Sequence, residues 1–247
     1  MAFLSPDNVR YDNGVKVCEK IIPDSAVWNR DVKEGGYTYR KGTTYKANRP
    51  LSAIKGVTIH NTGRIKIPHG TTMAEQYTRA TYPNCNMGSV RVHYYVDEND
   101  AWQNLDEGEV GWHAADGNYG PGNSTTIAIE IIMDGTDAEY NRIAEDNGAR
   151  LCAAILKRHG LDETAVYQHH DWYARKDCPA YIRPHWSAFL ALVRQYLNDD
   201  AQAPSDYDKL VAELEDIKEK YRTEHASAQA LRGRILSAIE QYDTVAK

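Results

Sequence analysis

Apolar and polar positions change their period several times along the chain. Residues 1–50 are polar and rich in Tyr, Lys and Gly. With so little periodicity they predict loops and short strands packed on a larger domain. The first strand lies within residues 51–62, as Gly56-Val57-Thr58-Ile59-His60. Residues 72–82 read as a short helix carrying Met73, Gln76, Tyr77 and Ala80 on one side. Residues 90–96 alternate as a strand does. The polar Asp97-Glu98-Asn99-Asp100 then turns the chain into a second strand over 101–105, which makes a hairpin. Residues 116–123 form a loop by their breakers. They lead into 126–132, apolar enough to be a central strand. A helix is expected over about 137–159, with Lys157, Arg158 and His159 in its last turn and Gly160 beyond. Another spans 183–197, burying Phe189, Leu190, Leu192, Val193, Tyr196 and Leu197. Strands mixed with helices, two of the strands in a hairpin, predict an α/β domain: a mixed β-sheet flanked by helices.

The pattern changes after residue 198. Residues 199–206 read as a polar linker, which separates a domain over 1–198 from a tail over 207–247. In the tail, apolar or small residues recur at steps of three and four: Tyr207, Leu210, Leu214, Ile217, Tyr221, Ala228, Leu231, Ile235, Ala238, Tyr242 and Val245. Only Glu224 breaks the register, so a long C-terminal coiled-coil helix is expected. At ~1.5 Å per residue it would run about 60 Å. Ser205 and Asp208 suit its N-terminus, and Gly233 weakens it by about 1 kcal/mol. A stripe this narrow, flanked by Glu213, Lys218 and Arg222, suits a helical partner better than a broad globular face. A homo-oligomer is therefore expected, with a helix folded back on the domain as the plainer alternative.

Composition narrows the function. The chain has 247 residues, 42% of them hydrophobic, enough for a large core. A net charge of −6 argues against non-specific nucleic-acid binding and against docking on an anionic membrane. Residues 1–10 lack a basic-then-apolar signal, and no apolar run approaches the length of a membrane span. Synthesis in the cytoplasm is the expectation. Cys18, Cys85, Cys152 and Cys178 are scattered, which is no disulfide framework.

Candidate chemistry gathers around a few polar residues. His60 ends the first strand, and far downstream comes His169-His170-Asp171-Trp172, followed by Lys176-Asp177-Cys178-Pro179. One histidine from each place and the cysteine make three borderline-soft ligands, the number a catalytic zinc takes from protein. Spacing alone leaves open whether the fold joins them and which imidazole of the pair takes part. Asp171 is close enough in sequence to orient an imidazole. In the strand over 126–132, Ile127, Ile129 and Ile131 share one face and Ala128, Glu130 and Ile132 the other. A buried, unpaired Glu130 would cost several kcal/mol, so its face is wet, a cation opposes it, or the strand is an exposed edge.

Six segments in order resemble zinc-dependent N-acetylmuramoyl-L-alanine amidases, the family of many phage endolysins and of peptidoglycan-recognition proteins. They are Val57-Thr58-Ile59-His60-Asn61-Thr62, Val92-His93-Tyr94-Tyr95-Val96-Asp97, Gly111-Trp112-His113-Ala114-Ala115-Asp116-Gly117, Ile129-Glu130-Ile131, the His-x-Asp-Trp stretch, and Lys176-Asp177-Cys178-Pro179. The resemblance covers residues 50–197. It implies zinc held by His60, His169 and Cys178, with His169 chosen over His170 because the family's ligand lies two before the Asp. It further implies Glu130 as general base, Lys176 as the cation that steadies the oxyanion, and His93 and His113 along the substrate groove. The interval from His169 to Cys178 is one residue longer than the family pattern.

The activity implied is that of an endolysin: zinc-activated water cleaves the amide between N-acetylmuramic acid and L-alanine in peptidoglycan, on the bacterial cell wall, after release from the cytoplasm. A non-catalytic peptidoglycan-binding protein is the alternative from another class, although that branch replaces the cysteine. A cytoplasmic muropeptide-recycling amidase would share the site. So would an amidase built into a larger phage structure through its tail.

Overall fold

The computed structural model describes residues 4–34, 36–63 and 71–199, together with Tyr221, Ala228, Leu231 and Arg232. The chain divides into two units, Met1–Asp200 and Ala201–Lys247. In the second unit the four described positions are helical and exposed. Apart from these positions, the coiled coil expected over 207–247 lies outside the described residues, as does any association through it.

The first unit opens with a hairpin of β1 (Asn8–Asp12) and β2 (Val15–Glu19), then a small separate pair, β3 (Val32–Glu34) and β4 (Tyr37–Tyr39). There follow β5 (Gly56–Asn61), α1 (Met73–Thr81), β6 (Tyr94–Val96), β7 (Ala101–Gln103), α2 (Pro121–Thr125) and β8 (Thr126–Ile131). The unit closes with α3 (Ala138–Arg158), β9 (Val166–Gln168), α4 (His169–Trp172) and α5 (Trp186–Asn198). The main sheet runs β1-β2-β7-β6-β8-β5-β9. It is mixed as expected: β1–β2 and β6–β7 pair antiparallel, and every other neighbouring pair is parallel.

Side-chain alternation decides what each face does. Val57, Ile59, Ile127, Ile129 and Ile131 enter the main core, where α3 and α5 contribute Leu151, Ile155, Phe189 and Val193. Residues of the opposite parity, Ala128 and Ile132, pack against Met73, Ala74 and Tyr77 of α1. His60 and Glu130 share that second face, at the C-terminal ends of two adjacent parallel strands.

Several boundaries differ from the sequence reading. The alternation over 90–96 yields sheet strand only from Tyr94, because the Arg91 backbone pairs instead with Trp112 in an isolated antiparallel bridge; its guanidinium donates to the carbonyls of Tyr45, Gly88 and Val90. The breaker-rich stretch before β8 contains α2, since the Asp116 carboxylate accepts the N–H groups of Gly122 and Asn123 (2.6 and 3.4 Å). The segment of His169, which has no period, is α4. Its capping box joins Gln168 and Asp171, with the Asp171 carboxylate 2.7 Å from the Gln168 N–H. Asp171 thus caps a helix and does not orient an imidazole. By contrast α3 matches closely: Asp137 caps it through the Tyr140 N–H (3.0 Å) and His159 closes it.

The first fifty residues pack on the domain as expected. Beyond the hairpin, Trp28 and Tyr45 are buried with Cys85 and Leu105, and the Arg91 guanidinium lies 3.4 Å from the Tyr45 ring centroid. Lys46, 2% exposed, reaches Glu109 (2.6 Å) and Asp24 (2.8 Å).

Candidate metal centre

Three parallel strands end at one edge of the sheet, and each delivers a functional group. His60 is the penultimate residue of β5, beside Glu130 of β8 in register. β9 pairs with β5 and ends at Gln168, immediately before His169. Carboxyl ends of parallel strands are where open α/β sheets bind ligands. The loop after α4 returns Cys178 to the same place.

One ligand atom each from His60, His169 and Cys178 lie within 4.8 Å of one another, and all three residues are buried. The Cys178 Sγ is 3.8 Å from His60 Nδ1, and the two imidazole centroids are 4.7 Å apart. A tetrahedral site with bonds of about 2.0–2.3 Å has edges of about 3.3–3.8 Å. His169 Nε2 is buried without a hydrogen-bond partner, an expensive state for a polar atom unless something completes it. Two imidazoles and a thiol with an orphaned nitrogen fit a borderline-soft metal ion.

Electrostatics point the same way. Burial, reinforced by His113, His169 and Lys176, holds His60 well below its usual range. Burial and Lys176 take His169 down to about 4. Both are neutral at pH 7, as metal ligands must be. Burial and the nearby Glu130 push the Cys178 thiol up to about 12, against the Asn61 backbone and Lys176, which favour the thiolate. Such a thiol stays protonated unless a cation displaces the proton.

Of the two adjacent histidines, the fold turns His169 inward. His170 braces the loop: its N–H donates to the Cys178 carbonyl (3.0 Å), and its Nδ1 meets the Lys176 carbonyl (3.0 Å). These bonds close the loop between the two ligand candidates. Arg183 adds a bracket, bonding Gln168 (3.0 Å) and Asp177, the neighbours of His169 and Cys178. Trp172 is anchored by its indole N–H to Thr58 Oγ1 (2.9 Å). Nothing in the spacing of Arg183 or Thr58 signals these roles, because both act through the fold.

Glu130 sits on the central strand β8, between β6 and β5, so it is no edge residue. Burial raises its carboxyl to about 8, with Lys176 opposing that shift, and no hydrogen bond holds it among the described residues. Lys176 is exposed, and its charge acts on His60, His169, Cys178 and Glu130 alike.

The remaining two histidines stand elsewhere than in an open groove. His93 is 0% exposed. Its Nδ1 accepts the Ala128 N–H (3.0 Å) and its Nε2 donates to the Glu109 carbonyl (2.8 Å). No ring nitrogen is left for a substrate. His113, 5% exposed, meets His60 Nε2 through Nδ1 at 3.1 Å.

Comparison with known proteins places this geometry in context. The family model described as N-acetylmuramoyl-L-alanine amidase matches residues 50–181. The chain is 32% identical over 145 residues to the N-acetylmuramoyl-L-alanine amidase CwlH of Bacillus subtilis (strain 168), across 58% of this chain and 55% of that protein. It spans about half the length of the curated relatives it matches. Among solved structures, the catalytic domain of XlyA aligns with a TM-score of 0.55 at 26% identity, covering 72% of this chain and 99% of that one. A mutant endolysin from Bacillus subtilis aligns with a TM-score of 0.56 at the same identity and coverage.

Proposed function

The chain belongs to the N-acetylmuramoyl-L-alanine amidase family, matched over residues 50–181, and on that premise we propose that it is a zinc-dependent peptidoglycan hydrolase of the endolysin kind. Its substrate is the amide between N-acetylmuramic acid and L-alanine. The observation that carries this reading is the convergence of His60, His169 and Cys178 within 4.8 Å, at the C-terminal strand ends where Glu130 also stands.

When bound, zinc supplies Lewis-acid activation of water and of the amide carbonyl. The protein's own groups do the rest. His60, His169 and Cys178 would hold the metal. Glu130, in register with His60 on the adjacent strand, takes a proton from the attacking water and returns it to the leaving amine. Lys176 carries a positive charge toward the carbonyl oxygen, where negative charge grows. The products are a lactyl-bearing glycan and a free stem peptide.

Mass spectrometry of purified sacculi digested with and without a zinc chelator tests the reading. Free stem peptides beginning with L-alanine, lost on chelation, are expected. Intact sacculi in both digests, with folded and zinc-loaded protein, would overturn it. For the tail, the heptad spacing over 207–247 supports self-association as a coiled coil. A monomeric mass for the full chain in solution would refute that part.

A further inference from the structure

His113 stands beside the metal centre without belonging to the ligand triad. Its backbone is pinned: Asn123 Oδ1 accepts the N–H groups of His113 (2.8 Å) and Ala114 (2.9 Å). Its ring is 5% exposed and stands perpendicular to that of His60, at 89° with centroids 5.2 Å apart. The contact is made by two ring nitrogens, His113 Nδ1 and His60 Nε2, 3.1 Å apart. Two neutral imidazoles this close share a single proton, so one nitrogen donates and the other accepts.

The triad decides which. His60 turns Nδ1 toward Cys178 Sγ, 3.8 Å away. A lone pair on Nδ1 can face a metal only if the proton sits on Nε2, because a neutral imidazole carries one N–H. His113 Nδ1 must then be the acceptor, and its own proton lies on Nε2. That second nitrogen is buried without a hydrogen-bond partner, while a looser backbone contact with Thr126 favours a proton on the ring. Metal-bound histidines are usually fixed in this way through their other nitrogen by a carboxylate, carbonyl or water. Here an imidazole takes that place.

We propose that His113 is a positioning residue for the metal ligand His60: by accepting the Nε2–H it fixes the tautomer and ring orientation that present Nδ1 to the metal. This rests on the reading of His60, His169 and Cys178 as a metal site. It assigns His113 a place behind the ligand, not along the substrate groove.

The test uses the full chain and zinc alone, with affinity measured by competition against a chromophoric chelator and folding by circular dichroism. His113→Ala is expected to weaken zinc binding about 10–100-fold. His113→Asn, whose side-chain oxygen can accept the same proton, is expected to restore most of it. Zinc affinity in His113→Ala equal to that of the unaltered chain would overturn the proposal. Should His113→Ala not fold, nitrogen-15 histidine spectra of the zinc-loaded unaltered chain decide the matter. A proton on His60 Nε2 and none on His113 Nδ1 supports the proposal, and the reverse overturns it. A failure of the underlying reading looks different: the unaltered chain, or Cys178→Ser compared with it, would show no zinc binding that depends on the triad.

Discussion

At the scale of single residues, burial decides chemistry. Glu130 lies on a face whose other members, Ala128 and Ile132, are buried apolar residues, and its carboxyl is raised to about 8 by that setting. Glu130→Gln keeps the shape and removes the proton acceptor. It is expected to bind zinc normally and to lose about 10²–10⁴ in turnover, measured as release of stem peptides. An active variant would move the base elsewhere. His93 shows burial acting on stability. Desolvation takes its imidazole down to about 4, below the unfolded value near 6.5. A folded pKa lower than the unfolded one means the unfolded chain binds the proton more readily. The stability His93 contributes is complete above about pH 6.5 and is lost as pH falls toward 4. In chelated protein, the advantage of the unaltered chain over His93→Gln is expected to narrow by about 2 kcal/mol between pH 7 and pH 5. Urea unfolding at the two pH values measures it, and a constant gap would refute the assignment.

At the scale of elements, the site depends on how closely β5 and β9 approach, because their ends bring His60 to His169. Gly56 opens β5, and a Cβ there would lie 2.1 Å from the Ala165 carbonyl oxygen and 2.7 Å from the Tyr167 ring. The carbonyl is backbone and cannot swing aside. Gly56→Ala is therefore expected to destabilise by about 1–3 kcal/mol or more. At roughly 2–4 °C per kcal/mol for a chain of this size, the melting temperature should fall by several degrees. An unchanged melting temperature would show that the β5–β9 contact is looser than described. Weaker zinc binding should accompany the fall, since the strand ends are what juxtapose the ligands. Element existence was legible wherever periodicity was long. α3 was recovered nearly whole, its end marked by the basic last turn and Gly160. α2, α4 and β9 were not: they are three to five residues long and, unlike β6 and β7, have no polar turn between apolar runs to mark them. Their existence depends on partners from other segments, such as the Asp116 carboxylate at α2.

At the scale of the whole unit, residues 4–50 complete the amidase-matched segment that begins at residue 50. β2 covers the edge of β7. Trp28 and Tyr45 enclose Arg91, and Lys46 satisfies the nearly buried Glu109. Removing this stretch would bare apolar surface, take the Tyr45 carbonyl and the two aromatic rings from the buried Arg91 guanidinium, and leave the Glu109 carboxylate without Lys46, each loss costing more than the bond itself. A chain of residues 51–199 is expected to aggregate or to unfold without cooperativity, while 1–199 stays folded and cuts. Calorimetry of the two decides, and equal transitions would show the first fifty residues to be dispensable.

The amino-acid sequence by itself determined the α/β class, the hairpin, the helices α3 and α5 and, through the resemblance of six ordered segments, the family. Those are properties of local periodicity and of residue type at fixed intervals, which survive without knowledge of contacts. Only the tertiary structure decided between His169 and His170, made Asp171 a helix cap, and put His93 in the interior and His113 behind His60. Each of these turns on the direction of a side chain relative to atoms from distant segments. No one-dimensional spacing encodes that direction, because it is set by packing: β5, β8 and β9 must lie side by side before their ends have a common centre to face.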